Sequence, residues 1–140
     1  MEKRIVDFIK KHHVLTLGTS FEGLPWLANC FYAYMEEENL LVFTSGRETK
    51  HIKDLKEGNV AAASIVLETS VIGKIQGIQL RGLLYEPAGG ISSSAKMTYL
   101  KRFPFTALME TTLWVLEPQY IKMTDNRLGF GKKLIWEKKE

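Results

Sequence analysis

Cysteine and histidine are scarce in this sequence. The single cysteine among the 140 residues, Cys30, excludes an internal disulfide and a cysteine-rich metal site. The three histidines, His12, His13 and His51, are too few and too unevenly spaced for a zinc motif such as H-E-x-x-H. We therefore predict no metal site.

Long apolar runs are missing as well. No stretch of roughly eighteen apolar residues occurs, so we expect no membrane-spanning helix and no membrane partner. The N-terminal sequence MEKRIVDFIKKHH lacks the uninterrupted apolar core of a signal peptide, which predicts a cytoplasmic protein. The net charge of +3, from 19 basic and 16 acidic residues, suits an anionic small molecule. A nucleic-acid-binding surface would need a clustered basic stripe, so we predict no nucleic-acid partner.

The remaining composition is that of a globular protein, with 45% hydrophobic, 25% charged and 11% aromatic residues. There is no linker, repeat or low-complexity tract, which predicts one domain over residues 1–140. Apolar residues at helical spacing, Ile5, Phe8 and Ile9, predict a first helix over 2–11. A second helix is predicted over 47–57, with Ser45 and Glu48 as a capping box and Gly58-Asn59 as its end, and a third from 92–94 to Phe103, stopped by Pro104.

Most of the chain reads as strands separated by short polar turns. The run at 26–35 has few charges on either face, which predicts that both of its faces are covered. Six or more antiparallel strands with helices at the edges fit a mainly β fold, a small closed barrel. The predicted strands are 14–20, 26–35, 40–45, 60–68, 78–86, 113–116, 120–124 and 131–136, with a tight turn over 125–129.

The most informative segment for chemistry is LVFTSGRETKHIKDL at 41–55. An apolar strand ends in Thr44-Ser45-Gly46, and Thr49 and Lys50 lie in the opening of the next helix. Hydroxyl groups, free N–H groups and a cation at a helix N-terminus can bind a phosphate monoester. Ordinary helix capping beside a solvated basic face is the alternative, and the P-loop pattern is absent.

Two further segments have the character of a binding site. In the strand containing Trp26, Leu27, Ala28 and Asn29, small or medium side chains leave the backbone free to meet a flat heterocycle, unless the strand is simply core. Gly129 and Gly131 flank Phe130, which favours a hairpin over a ligand contact. Cys30 is interpreted as a small buried hydrophobe, and His51 as a residue of a solvated helix face.

Two motifs carry a family resemblance that extends over essentially the whole chain. Phe103-Pro104 and the run TDNRLGFGKK at 124–133 resemble the YhbP-like branch of the pyridoxamine 5′-phosphate oxidase-like proteins, the FMN-binding split barrels. The resemblance implies a six-stranded antiparallel split β-barrel with short flanking helices, an intertwined homodimer, and FMN at the dimer interface. It places Thr44, Thr49 and Lys50 at the FMN phosphate, where the anion-site interpretation above adds Ser45, and it places the backbone of Trp26, Leu27, Ala28 and Asn29 along the isoalloxazine ring.

The resemblance leaves the activity open. Glu48 occupies a position where relatives of known activity often have a small hydroxyl residue. A carboxylate at this position would repel a phosphate. The basic C-terminal residues expected for pyridoxamine phosphate oxidation are not found. The leading hypothesis is an FMN-dependent oxidoreductase acting on an unidentified small molecule, with no catalytic residue assigned. The alternative is a non-enzymatic flavin- or haem-binding module, and a deazaflavin presents the same phosphate and tricyclic ring as FMN.

Overall fold

The computed structural model describes residues 1–55 and 58–140. Within them the structure has three α-helices, seven strands and three 3₁₀ turns. The 3₁₀ turns are Ile72–Lys74, Pro104–Leu108 and Asn126–Leu128. The helices and strands are α1 (Lys3–Lys11), β1 (Val14–Phe21), β2 (Leu24–Met35), β3 (Leu40–Ser45), α2 (Lys50–Lys53), β4 (Val60–Val66), β5 (Gln76–Tyr85), α3 (Gly89–Arg102), β6 (Thr112–Asp125) and β7 (Lys133–Glu137).

Six of these strands close an antiparallel barrel, as predicted. Neighbouring strands follow the order β3-β2-β1-β4-β5-β6, and a further pairing of β3 with β6 completes the ring. The β1–β2 hairpin turns at Glu22 and Gly23, whose positive φ angles of 51° and 78° are typical of tight hairpin turns. In the described part of the chain, β7 pairs only with β6, outside the ring.

Strand β6 is where the barrel splits. Residues 112–116 of β6 pair with β3, whereas residues 120–124 pair with β7. The sequence predicts two strands here, but the structure has one continuous strand. Its register against β5 shifts at Arg81/Gly82, opposite Pro118, because Pro118 has no N–H to donate. Gly82 permits this close approach, since a Cβ at position 82 would overlap the carbonyl oxygen of Glu117.

The core fills the barrel and extends to α1. Ile5, Phe8 and Ile9 are buried as predicted, and the hydroxyl of Tyr32 donates to the carbonyl of Ile9 at 2.6 Å. Helix α1 is also held by Asp125, at the far end of β6. The interior of the barrel is apolar, so the polar chemistry of the chain lies at strand ends and on the outside.

Three predictions about helices are wrong in detail. Helix α2 covers only Lys50–Lys53, and residues 56–57 of the prediction lie outside the described residues. Thr49 precedes the helix, so Ser45 and Glu48 form no capping box and Gly58-Asn59 does not end it. Helix α3 begins at Gly89, before the serines at 92–94. Gly89 has a left-handed φ of 61°, which glycine adopts readily. In the described residues, no helix is long and apolar enough to span a membrane.

Candidate cofactor site at the end of β3

A cluster of hydroxyl groups and one imidazole lies where β3 meets α2. Ser45 Oγ lies 2.5 Å from Nε2 of His51 and 3.4 Å from Oγ1 of Thr49. Thr49 donates to the carbonyl of Gly46 at 2.7 Å, which tightens the intervening loop. Two predicted site residues, Ser45 and Thr49, therefore lie together with His51. We call these three residues the Ser45 cluster.

His51 differs from its predicted place on a solvated helix face. It is half-buried, and burial lowers the pKa of its imidazole. A neutral ring at neutral pH has one donor and one acceptor nitrogen. The signal in the sequence was its position two residues after Thr49. The helical periodicity assumed for 47–57 obscured it.

Thr44 lies apart from the Ser45 cluster, because adjacent side chains of a strand point to opposite faces. Its Oγ1 donates to the Tyr99 hydroxyl at 3.4 Å, and Tyr99 donates to the carbonyl of Phe31 at 3.2 Å. Burial raises the pKa of Tyr99. Tyr99, on α3, is a candidate that the sequence analysis missed, since nothing in its own segment suggests a link to β3.

Lys50 connects the two predicted halves of the site. Its Nζ donates to Oδ2 of Asp54 at 2.9 Å and lies 5.6 Å from the ring centroid of Trp26. That distance is typical of a cation–π contact. The structure therefore brings the phosphate-binding segment and the ring-binding segment of the prediction together at Lys50 and Trp26.

The half of β2 near Trp26 is uncovered on both faces, since neighbouring side chains of a strand alternate between them. Leu24, Pro25, Trp26 and Leu27 are all exposed, with Leu27 at 66%, and Phe31 is 60% exposed. The prediction that both faces of this strand are covered is therefore wrong for a single chain. The neighbours of Leu27 across the sheet are small. Leu27 pairs with Gly18 on β1, and Gly18 pairs with Ala62 on β4.

Ala28 and Asn29 complete the predicted ring-binding strand. Ala28 is half-buried and pairs with Leu17, while Asn29 is exposed and accepts a hydrogen bond from Thr16 at 2.7 Å. Cys30 is buried, as predicted, and burial raises the pKa of its thiol to about 11. It is therefore not a thiolate nucleophile at neutral pH.

Charges around the 46–49 loop are nearly balanced. The Glu48 carboxylate folds over Gly46, where it would overlap a Cβ. Arg47 forms a two-point ion pair with Glu86, at 2.7 and 3.0 Å, and this hydrogen bonding lowers the pKa of Glu86. In residues 1–55 and 58–140, no group of three His, Cys, Asp or Glu side chains could hold a metal ion.

The glycine-rich segment at 129–131 forms the predicted hairpin connection between β6 and β7. Phe130 at its tip is 88% exposed, and Lys133 donates to Thr124 across the hairpin at 3.0 Å. Trp114 is buried, and its indole N–H donates to the carbonyl of Ser45 at 2.9 Å. This bond helps to fix the backbone beneath the Ser45 cluster.

Solved structures resemble this fold over most of the chain. A heme binding protein from Mycobacterium smegmatis superimposes with a TM-score of 0.80 and 18% identity, covering 98% of this chain and 59% of that one. An FAD-binding protein from Mesorhizobium loti gives a TM-score of 0.71 and 12% identity, covering 86% and 89% of the two chains. At such identities the likeness shows the fold alone, and it confirms the split barrel.

Sequence comparison identifies the family more closely. No protein-family model matches the chain. A UPF0306 protein from Pasteurella multocida is 31% identical over 138 residues, which cover 99% of this chain and 93% of that protein. The chain therefore belongs to the UPF0306 family.

Proposed function

We propose that two copies of this chain bind FMN at their shared interface and that the protein is a flavin-dependent oxidoreductase of an unidentified small molecule. The proposal includes membership in the YhbP-like branch and a cytoplasmic location. Bound flavin supplies the redox chemistry, whereas the protein binds and orients the ring. The observation that carries the proposal is the contact between Lys50 and Trp26, which joins a polar anion site to an exposed aromatic strand.

The phosphate is assigned to the polar end of this arrangement. Ser45 and Thr49 supply hydroxyl groups, and Lys50 supplies a cation that is 53% exposed and free to turn from Asp54 toward a dianion. Thr44 was predicted to contact the phosphate as well, but its side chain lies on the opposite face of β3, bonded to Tyr99, so we assign the phosphate to Ser45, Thr49 and Lys50. Glu48 opposes binding, so its carboxylate must move away from Gly46 when the phosphate enters.

The ring is assigned to the backbone of Trp26, Leu27, Ala28 and Asn29. Exposed apolar side chains on this half of β2 favour cover by a second chain, because their burial removes apolar surface from water. A site of this kind is incomplete in one chain. This supports a homodimer in which FMN lies between the two copies.

Haem is the second candidate. The similar protein from Mycobacterium smegmatis is described as heme binding. In this chain His51 has a lowered pKa, and a neutral imidazole is the form that ligates iron. To do so through Nε2, His51 would have to give up its contact with Ser45.

The visible absorption spectrum of the purified protein, recorded before and after addition of FMN, tests the proposal. We expect a flavin spectrum that stays with the protein through gel filtration. A Soret band would favour the haem-binding alternative, and loss of all added flavin on the column would contradict the FMN assignment. Light scattering should give the mass of a dimer, and a monomer at micromolar concentration with FMN present would contradict the shared site.

A further inference from the structure

A cavity lies between α3, the Pro104–Leu108 turn and the adjoining ends of β3 and β6. Its volume is about 440 Å³, within the range of about 300–1,000 Å³ that is common for small-molecule sites. Tyr99 and Thr44 line one wall, opposite the turn. The lining includes neither the Ser45 cluster nor Lys50 nor Trp26, so the cavity is separate from the proposed flavin site.

The charge of the cavity lining is positive. Among the residues that line it, Lys96 is the one charged side chain, and neither aspartate nor glutamate is present. Lys96 is exposed, and in residues 1–55 and 58–140 its ammonium has no ion pair and no hydrogen bond. The Ser92 and Thr111 side chains, which also line the cavity, likewise have no hydrogen-bond partner within those residues.

The rest of the lining is mainly apolar. Leu100 and Leu113 are half-buried in the wall, and Met109 closes the side next to the Pro104–Leu108 turn. Methionine is flexible and polarisable, so it adapts to flat or irregular ligands. The cavity thus combines one unpaired cation, free hydroxyl groups and apolar walls.

We propose that this cavity binds a small organic carboxylate, with its carboxylate on Lys96 and its apolar body against Leu100, Met109 and Leu113. A single ammonium with hydroxyl donors matches a monoanion. A phosphate dianion would gain nothing from the apolar walls and would find only one cation. A neutral apolar molecule would leave Lys96 unused.

The test is a chemical-shift titration of ¹⁵N-labelled full-length protein with benzoate, and with benzyl alcohol as its neutral counterpart. We expect benzoate to shift amide signals within residues 92–113, and to bind more tightly than benzyl alcohol. Lys96→Met should weaken benzoate about tenfold, the usual scale of one charge-assisted hydrogen bond, and leave benzyl alcohol unchanged. Lys101→Met, on the same helix but outside the cavity, is the matched control and should bind as the wild type does.

A third variant tests the location without removing charge. Ala107→Trp places a large ring in the cavity from its exposed turn, and it should abolish binding of both compounds while the protein remains folded. The proposal is overturned if benzoate causes no shifts in the wild type, if Lys96→Met and Lys101→Met bind it equally, or if inorganic phosphate binds more tightly. FMN binding is measured separately through its own absorption, so failure of the carboxylate site and failure of the flavin site are distinguishable.

Discussion

Ser45 Oγ lies 2.5 Å from Nε2 of His51, so the last residue of β3 is joined directly to α2. This contact replaces the expected capping box and turns an expected surface histidine inward. It also makes His51 a titratable group within the folded structure. Acid should therefore affect stability through this residue.

Burial lowers the pKa of His51 in the folded state, below the unfolded value of about 6.5. The unfolded chain then binds more protons as the pH falls through that value, so acidification destabilises the protein. We expect urea unfolding to show a smaller loss of stability between neutral and mildly acidic pH in His51→Gln than in the wild type. His13→Gln, at an exposed position, should retain the wild-type loss; equal losses in all three proteins would contradict the prediction.

Lys50→Ala should weaken FMN about ten- to a hundredfold, since a hydrogen bond to a charged group contributes roughly 1.5–3 kcal/mol. Riboflavin has the same ring and no phosphate, so its affinity should barely change. Fluorescence titration of both ligands measures the effect, and Lys53→Ala on the same helix is the control. Equal losses for FMN and riboflavin would place Lys50 at the ring instead and move the phosphate toward Lys132 or Lys133.

Glu48→Gln should have the opposite effect. Removing a carboxylate beside Gly46 relieves repulsion of the phosphate, and we expect FMN to bind several-fold to about tenfold more tightly at low salt. The gain should shrink as salt screens the charge, and riboflavin should show none. Glu38→Gln, in the turn at the far end of β3, should bind both ligands as the wild type does. An unchanged FMN affinity in Glu48→Gln would place the phosphate away from this loop.

Leu27→Glu should separate the two copies without unfolding either. Leu27 is exposed in the single chain, so the substitution costs the barrel little, whereas a charge buried between two chains is unfavourable. Light scattering should give a monomer, with reduced FMN binding. Ile135→Glu, at an exposed position on β7, should remain dimeric; a dimeric Leu27→Glu would mean that this face of β2 is not the interface.

Asp125 is the buried carboxylate that holds α1 to the end of β6. It accepts hydrogen bonds from the backbone N–H and the guanidinium of Arg127, at 3.0 and 2.9 Å, and from Arg4 at 3.2 Å. Hydrogen bonding from Arg127 is the main cause that lowers the pKa of Asp125. The stabilisation is therefore present above the unfolded pKa of about 3.9 and lost as the pH falls through the lower folded value.

Asp125→Asn should lower the free energy of unfolding by about 1.5–3 kcal/mol at neutral pH. The difference from the wild type should shrink as the pH falls from about 4 through the lower folded pKa of Asp125, below which both proteins are uncharged at this position. Urea unfolding across this range provides the measurement. Asp7→Asn, at an exposed position of α1, should change stability by less than about 0.5 kcal/mol. A difference that persists in acid would mean that shape, not charge, holds the contact.

Local patterns predicted most of the barrel. Alternation and turn residues identified the hairpins, and the spacing of Ile5, Phe8 and Ile9 placed α1 in the core. The continuous strand β6 was missed because Pro118 is normally read as the end of a strand. Here Gly82 on β5 accommodates the irregular pairing at Pro118, and a residue 36 positions away does not enter a local sequence pattern. The short α2 was missed because charged residues at helical spacing continue beyond Lys53, although the helix does not.

The candidate site was only partly predictable for the same reason. Thr49, Lys50 and Ser45 belong to one segment, and a strand followed by a helix was enough to group them. The contact of Lys50 with Trp26 joins residues 24 positions apart, and the hydrogen bond from Thr44 to Tyr99 joins residues 55 positions apart. Such pairings depend on how β2 and α3 pack against β3, which is a property of the whole barrel.

The bond between Arg4 and Asp125 spans 121 positions of the chain, and it constrains how the protein can be made. Helix α1 is synthesised before the strands it packs on, yet its partner carboxylate emerges roughly 6–24 seconds later at about 5–20 residues per second. During that interval Ile5, Phe8 and Ile9 have no completed core to cover them. The apolar side chains of α1 therefore stay uncovered until most of the chain has been made, and the helix can dock fully only at the end of synthesis.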